Sequence, residues 1–369
     1  MTPWRDRVAG RLDDIRRADR WRSIRTLDGP MPLGDLEGRP IVSFASNDYL
    51  GLAGHPRVAA AAREAISRWG AGSGASRLVV GGRPVHDELE AELADWKRTD
   101  AALLLPTGFA ANLAVLSTLA DQPDVLVVSD ELNHASIIDG ARLSRGRVAI
   151  ARHRDPAHVA ELLAAHSGPA LVVTDTVFSM DGDEAPVPDL AEVCREHGAL
   201  LVLDEAHAVL GPPADDLDVD VVRVGTLSKA LGSLGGFVAA QRDVIDLLVN
   251  AARPFIFTTA PTPGDTAAAL AALRIARSSE GHALRERLRR HVDAVAPGHP
   301  SPIIPVVLGD EAAAIDASKR LLEQGLLVPA IRPPTVAPGT SRLRVALSAA
   351  HTDEQVEHLM KALASLGVS

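Results

Sequence analysis

Lys229 stands in a turn of small residues, Ser228-Lys229-Ala230-Leu231-Gly232, just after an apolar run at 221–224. Upstream, Leu200-Leu201-Val202-Leu203 leads straight into Asp204-Glu205-Ala206-His207. An amine with room around it forms a Schiff base with an aldehyde, provided burial keeps it uncharged. A carboxylate at a strand end can keep a pyridine nitrogen protonated, so that the ring accepts electrons from a carbanion. An acid and a lysine so placed are what a pyridoxal phosphate (PLP) site requires, and His207 is a candidate donor to the ring hydroxyl. Each half has a plainer reading. Lysines are mostly surface residues, and Asp204 with His207 could be a helix cap and its exposed face. The succession of an acid-ending strand and a lysine-bearing loop is what favours the cofactor.

The cofactor's remaining needs also have candidates. Pro106-Thr107-Gly108-Phe109-Ala110 follows an apolar run at 101–105 and opens a helical pattern. Free N–H groups at such a turn attract a phosphate, and Thr226 could add a hydroxyl. His134, in Asn133-His134-Ala135-Ser136, offers a flat ring to stack on the cofactor; a helix-capping or solvent-facing histidine is the alternative. Arg344, on the alternating run Leu343-Arg344-Val345-Ala346-Leu347, suits two-point capture of a carboxylate. Arg342 points to the same face and competes for the role, and either could be a salt-bridge partner. Gly70-Ala71-Gly72-Ser73-Gly74-Ala75 fits a loose dinucleotide fingerprint, but a helical pattern at 59–69 precedes it rather than a strand, so a nicotinamide site is rejected. No metal enters this reading.

These side chains must be held by a framework. Helices are predicted at 56–69, 84–98, 108–119, 134–144, 155–166 and 188–197. Strands are predicted at 41–44, 101–105, 125–129, 147–151, 170–174, 200–204, 220–224 and 235–239. Short apolar runs alternating with helices indicate an α/β fold, a mostly parallel central sheet flanked by helices, with ligands at the strands' C-terminal edge. Beyond 279 the rhythm changes: helix 281–294, strand 303–308, helix 311–324, strand 343–347 and helix 353–366 suggest a smaller C-terminal α+β domain. The expected organisation is an N-terminal helical segment and linker at 1–40, a large PLP-binding domain at 41–279 and a small domain at 280–369.

Composition narrows the function classes. A net charge of -10 argues against a nucleic-acid-binding surface. No run approaches the roughly 18 apolar residues of a membrane span. The one cysteine, Cys194, cannot close an internal disulfide, which fits a reducing cytoplasm; within a helical pattern it reads as a buried apolar residue and not a nucleophile. The arginine-rich start carries interleaved Asp6, Asp13, Asp14 and Asp19, unlike a transit peptide, and reads as an amphipathic helix with Val8, Leu12 and Ile15 on one side.

With these pieces in place, the chain resembles the α-oxoamine synthases, fold-type I PLP-dependent transferases, over nearly its whole length. The resemblance rests on Ser46-Asn47-Asp48-Tyr49-Leu50-Gly51-Leu52, Gly72-Ser73-Gly74-Ala75-Ser76-Arg77, Asn133-His134-Ala135-Ser136, Val177-Phe178-Ser179-Met180-Asp181-Gly182-Asp183, Asp204-Glu205-Ala206-His207, Thr226-Leu227-Ser228-Lys229 and Leu343-Arg344-Val345. It implies that Lys229 carries the cofactor and moves protons, Asp204 pairs with the pyridine nitrogen, His207 approaches the ring hydroxyl and His134 stacks on the ring. It implies Ser179 beside the cofactor, and Gly108, Phe109 and Thr226 at the phosphate, with Thr258 or Thr259 reaching in from the second subunit of a homodimer. Phe109 stands where relatives often have tyrosine, so a hydroxyl contact there is in doubt. Arg344 would grip the amino-acid carboxylate with help from Asn47.

The implied activity is decarboxylative transfer of an acyl group from an acyl-CoA to an amino acid. The ending Leu347-Ser348-Ala349-Ala350-His351-Thr352 and the short N-terminal segment resemble the member that uses L-alanine and pimeloyl-CoA. Glycine with acetyl-CoA is the alternative within the family, and an inactive binding subunit is the alternative from another class. A free carboxylate on the acyl chain would need a cation, for which Arg22 or Arg25 is a candidate.

Overall fold

The computed structural model describes residues 2–18, 20–210 and 217–367. The helix Pro3–Arg17 forms where Val8, Leu12 and Ile15 predict it, but buries none of its residues. A small antiparallel ribbon follows, made of β1 (Leu27–Asp28), β2 (Leu33–Leu36) and β3 (Arg39–Ser43). Its first two strands lie in the Gly- and Pro-rich stretch read above as linker.

The central sheet has seven strands: β4 (Ala101–Leu105), β5 (Leu126–Asp130), β6 (Arg147–Ala151), β7 (Ala170–Asp175), β8 (Leu200–Asp204), β9 (Val221–Thr226) and β10 (Gly236–Ala240). Their order is β4-β10-β9-β8-β7-β5-β6. The run from β6 to β9 is parallel, whereas β10 runs antiparallel to both β9 and β4. The reversal has a simple cause. Residues 227–235 are too few for the crossover that a parallel return requires, so β9 and β10 form a hairpin. Lys229 sits in that hairpin loop.

Alternate residues of each strand serve opposite apolar layers, as the two-residue period of a strand dictates. Ala101, Leu103 and Leu105 pack into one cluster with Ala111, Val115 and Leu248, while Ala102 and Leu104 join another with Leu270 and Leu273. Gly225 and Gly232 are among the glycines required by close approach. A Cβ at Gly225 would lie 2.3 Å from the Phe237 ring. At Gly232, φ is +58° and a Cβ would lie 2.2 Å from the Ala53 nitrogen, so the lysine loop rests directly on residues 52–53.

The helices Arg242–Ala251 and Pro263–Ala276 were not predicted. The second is almost wholly buried and alanine-rich, so it has no polar face to give a 3.6-residue period. The C-terminal part contains β11 (Ile303–Gly309), β12 (Leu326–Leu327), β13 (Ala330–Ile331) and β14 (Ser341–Ala346). Strands β11, β14 and β13 form an antiparallel sheet beside the helices Glu311–Glu323 and Asp353–Ser365. Strand β12 pairs in parallel with β3, so residues 39–43 are joined to the C-terminal part by backbone hydrogen bonds. Among the described residues no helix is long and apolar enough to cross a membrane.

Candidate active site

Parallel strands place their C-terminal ends along one edge, and there the sequence puts its chemistry. Asp204 closes β8, and Asp175 closes β7 directly opposite it. Asp204 Oδ2 accepts from Asn112 Nδ2 at 2.6 Å, and Oδ1 accepts from the Ala206 backbone at 2.9 Å. Asn112 comes from the helix Gly108–Leu119 and also donates to Ser136 Oγ at 2.8 Å. Ser136 in turn meets His134 Nδ1 at 2.7 Å. His134, the N-cap of Ala135–Leu143, donates its backbone N–H to Asp175 Oδ2 at 2.7 Å. One continuous polar chain therefore fixes both the acid and the flat ring.

The electrostatics follow from burial. Asp175 is pushed well above the usual carboxylate range by burial and by the negative charge of Asp204 beside it. His134 is lowered, first by burial; Lys229 adds to this and Asp204 works against it. His207 is 5 % exposed and is held well below its ordinary value by burial, with Lys229, Arg344 and His134 contributing. Its Nε2 lies 2.8 Å from Lys229 Nζ, and its Nδ1 lies 2.6 Å from the Tyr49 hydroxyl. Lys229 is itself lowered, chiefly by burial, with Arg344 adding to it and Asp204 and Asp175 opposing. Burial thus favours the neutral amine that Schiff-base chemistry needs.

The two arginines of β14 separate clearly. Arg342 is held by Asp181 and by the Thr340 carbonyl, the latter at 2.9 Å. Arg344 donates through Nε to the Ser179 carbonyl at 2.5 Å and through Nη2 to Asn47 Oδ1 at 3.2 Å. Asn47 also accepts from the Tyr49 hydroxyl at 3.0 Å. Arg344, Asn47, Tyr49, His207 and Lys229 therefore form one linked group.

The phosphate candidates converge in part. A Cβ on Gly108 would lie 3.3 Å from Thr226 Cβ, so the helix-opening turn rests on the strand that leads to Lys229. Thr107 caps that helix by accepting from Ala110 N at 3.0 Å. Thr226 Oγ1 donates to the Gly235 carbonyl at 3.0 Å. Phe109 is partly exposed, its ring edge-on to His134 at 6.4 Å. Thr258 and Thr259 lie outside the cluster, half-buried and exposed respectively, next to the exposed Phe257. Arg22 and Arg25 are exposed in the segment before β1, and among the described residues no hydrogen bond joins them to the cluster. Sequence reasoning did not single out three side chains that the structure brings into this cluster: Tyr49, Asn112 and Asp175. Asn112 carries a usable signal, a lone amide within the apolar helix Gly108–Leu119.

The residues present fit PLP. A lysine with a lowered pKa stands beside a strand-end carboxylate held by hydrogen bonds, a flat imidazole and a Gly-bearing helix start, and Asn112 Oδ1 is buried in the same cluster with no hydrogen-bond partner among the described residues. The family model for aminotransferase class I and II matches residues 39–363. The 8-amino-7-oxononanoate synthase of Anaeromyxobacter dehalogenans is 51% identical over 91% of this chain and 88% of its own, and that of Geobacter sulfurreducens is 45% identical over 98% and 97%. The chain belongs to the aminotransferase class I and II family, as an α-oxoamine synthase. Solved structures agree with this. Serine palmitoyltransferase of Sphingomonas wittichii superposes on the α-oxoamine synthase chain with a TM-score of 0.87 at 30% identity, covering 98% of each chain. The 8-amino-7-oxononanoate synthase of Francisella tularensis gives 0.73 at 27% identity, covering 88% of this chain and 97% of its own. Lys229, Asp204 and His134 stand at the C-terminal edge of the central sheet, and Arg344 reaches the same cluster from β14.

Proposed function

We propose that this α-oxoamine synthase is an 8-amino-7-oxononanoate synthase: it condenses L-alanine with pimeloyl-CoA, releasing CoA and carbon dioxide, in biotin synthesis. The observation that carries the reading is the 51% identity, over 91% of the chain, to a protein of that name. PLP, when bound, supplies the electron sink for the pair left at the substrate's α-carbon.

The chain's own residues do the rest. Lys229 would hold the cofactor through its aldehyde, and its neutral amine would take the α-proton, a role that its lowered pKa supports. Asp204 would keep the pyridine nitrogen protonated and His134 would stack on the ring. Gly108, Phe109 and Thr226 would hold the phosphate, with Ser179 beside the cofactor. Arg344 would bind the amino-acid carboxylate with Asn47, which would fix how the amino acid is oriented for bond breaking. Arg342 is committed to Asp181, which supports Arg344 as the grip.

The enzyme acts as a homodimer, with Thr258 and Thr259 approaching the partner's phosphate site. The exposed apolar residues Val79, Val80 and Phe257 support that assembly. Arg22 or Arg25 receives the free carboxylate of the acyl chain, and the protein works in the cytoplasm. Mass spectrometry after incubation with L-alanine and pimeloyl-CoA should find 8-amino-7-oxononanoate. Product from glycine and acetyl-CoA alone would overturn the reading.

A further inference from the structure

We infer that His153 is a cation that fixes the Arg344 grip from a distance: clamped between Asp130 and Asp183, it fastens the loop 177–183, whose Ser179 carbonyl orients the guanidinium. The inference deepens the functional reading above and rests on it only for what Arg344 takes, an amino-acid carboxylate. Among the described residues the His153 ring meets neither Lys229 nor Arg344, so it is a positioning residue.

His153 lies just beyond β6. Its Nδ1 is 3.0 Å from Asp130 Oδ1, and its Nε2 is 2.9 Å from Asp183 Oδ2. Asp130 also accepts the backbone N–H of Leu132 on Oδ1 and of Arg154 on Oδ2, each at 2.8 Å, so both of its oxygens work as acceptors. Asp183 Oδ2 accepts from Arg154 Nη1 as well, at 3.3 Å. A neutral imidazole would turn one lone pair toward a carboxylate; only the doubly protonated ring donates to both. The charged groups around it are Asp130 from β5, Asp183 from the loop, Arg154 from its own segment, and Glu131, which accepts the His153 backbone N–H at 3.0 Å. The Phe178 ring packs edge-on, with centroids 4.4 Å apart. Burial pulls the His153 pKa down, but Asp130 first and Asp183 next outweigh it and raise it above its ordinary value.

The loop has little slack. Phe178 donates its backbone N–H to the Asp183 carbonyl at 2.9 Å, Gly182 donates to the Phe178 carbonyl at 2.8 Å, and a bridge between Val177 and Glu184 closes the turn. Asp183 Oδ1 is buried with no hydrogen-bond partner among the described residues, so Oδ2 carries the hold on this side chain. On its far side the loop gives Asp181 to Arg342 and the Ser179 carbonyl to Arg344. It is therefore strung between an imidazolium at the sheet edge and two guanidiniums of β14. Loss of the His153 proton leaves a lone pair facing a carboxylate, frees one end of the loop and moves the Ser179 carbonyl with it. Because the folded pKa is raised, the clamp is complete below pH 6.5 and loosens as pH rises through the higher folded value.

The test uses the full chain loaded with PLP, labelled with 15N in histidine and arginine and read by NMR as pH is raised; His153→Gln and Arg344→Lys assign the two side chains. The His153 ring should carry two protons in mild acid and titrate above its ordinary 6.5. The Arg344 Nε–H signal should move with the same midpoint, and His153→Gln should abolish that movement. Asp183→Asn removes one of the two carboxylates and should bring the midpoint down. In steady-state kinetics below the midpoint, KM for L-alanine should be about fivefold higher in His153→Gln than in wild type, the usual size of a coupling carried through a packed network, with kcat changed less. The ratio of the two KM values should fall toward one as pH rises through the midpoint, which a merely structural loss would not produce. A singly protonated ring in mild acid overturns the inference, as does an Arg344 signal that ignores the His153 titration or a KM ratio that does not vary with pH. Should His153→Gln not fold, the two NMR signals of the unmodified chain decide alone. Those signals need no substrate, so failure here and failure of the substrate reading are distinguishable.

Discussion

Glu205, next to Asp204, offers a sharp test of how dry this region is. Its carboxylate meets Lys97 Nζ at 2.5 Å and Arg223 Nη1 at 2.5 Å, and the three side chains are 6%, 9% and 10% exposed. Burial pulls the Glu205 carboxyl upward, but Lys97 first and Arg223 next outweigh it and hold it below its ordinary value. Glu205→Gln keeps the shape and removes the charge, leaving the buried Lys97 ammonium facing an amide. Breaking a buried ion pair in this way costs about 3–5 kcal/mol. Over a chain of 369 residues that lowers Tm by about 4–6 °C. Urea unfolding and thermal melts at pH 7 would measure it. Adding Lys97→Met removes the excess cation and should recover about half of the loss. The folded pKa is depressed, so the contribution is present above pH 4.5 and is lost as pH falls through the lower folded value; the gap between wild type and variant should narrow there. A Glu205→Gln chain within about 1 kcal/mol of wild type at pH 7 would show that the trio is hydrated and that the reasoning fails.

Other expectations concern the lysine loop, the arginine grip and acid stability. Gly232→Ala places a methyl against the Ala53 backbone at a positive φ, and should cost more than about 2 kcal/mol in urea titrations while weakening PLP retention. Arg344→Lys should raise KM for the amino acid at least about tenfold, because the two-point grip is lost, whereas Arg342→Lys should change it little; equal effects in steady-state kinetics would contradict the division of roles. His351 is lowered to about 4, mainly by burial, and is bonded neutral to Ser43 O and Ser348 N. Its stabilising effect, at most about 3 kcal/mol, should be present above pH 6.5 and vanish as pH falls through about 4. The difference in Tm between wild type and His351→Gln should shrink over that range; a constant difference would count against it.

The sequence made the reacting groups legible because each sits where strand patterns end. Lys229, Asp204 and His134 all follow apolar runs, and the structure gathers them at one edge. It was silent where burial and not pattern decides. Tyr49 lies in a stretch that reads as a polar turn, yet its ring is wholly inside. Asp175 falls one residue past the apolar run at 170–174, and only the pairing of β7 with β8 sets it against Asp204. Arg342 and Arg344 share a face and are equivalent on paper; Asp181 breaks the tie through a contact 161 residues away in sequence. The helix Pro263–Ala276 escaped because a segment covered on nearly every side has no amphipathic signature.

Strand β14 is fastened through two of its arginines. Arg342 ties it to Asp181, while Arg344, two residues on, reaches the Ser179 carbonyl and Asn47. Any drift of β14 would therefore carry Arg344, the proposed carboxylate grip, with it. The same side chain also fastens this strand to the segments that hold Ser179 and Asn47, so redesigning which amino acid is accepted is best done at the methyl side, leaving this strand alone.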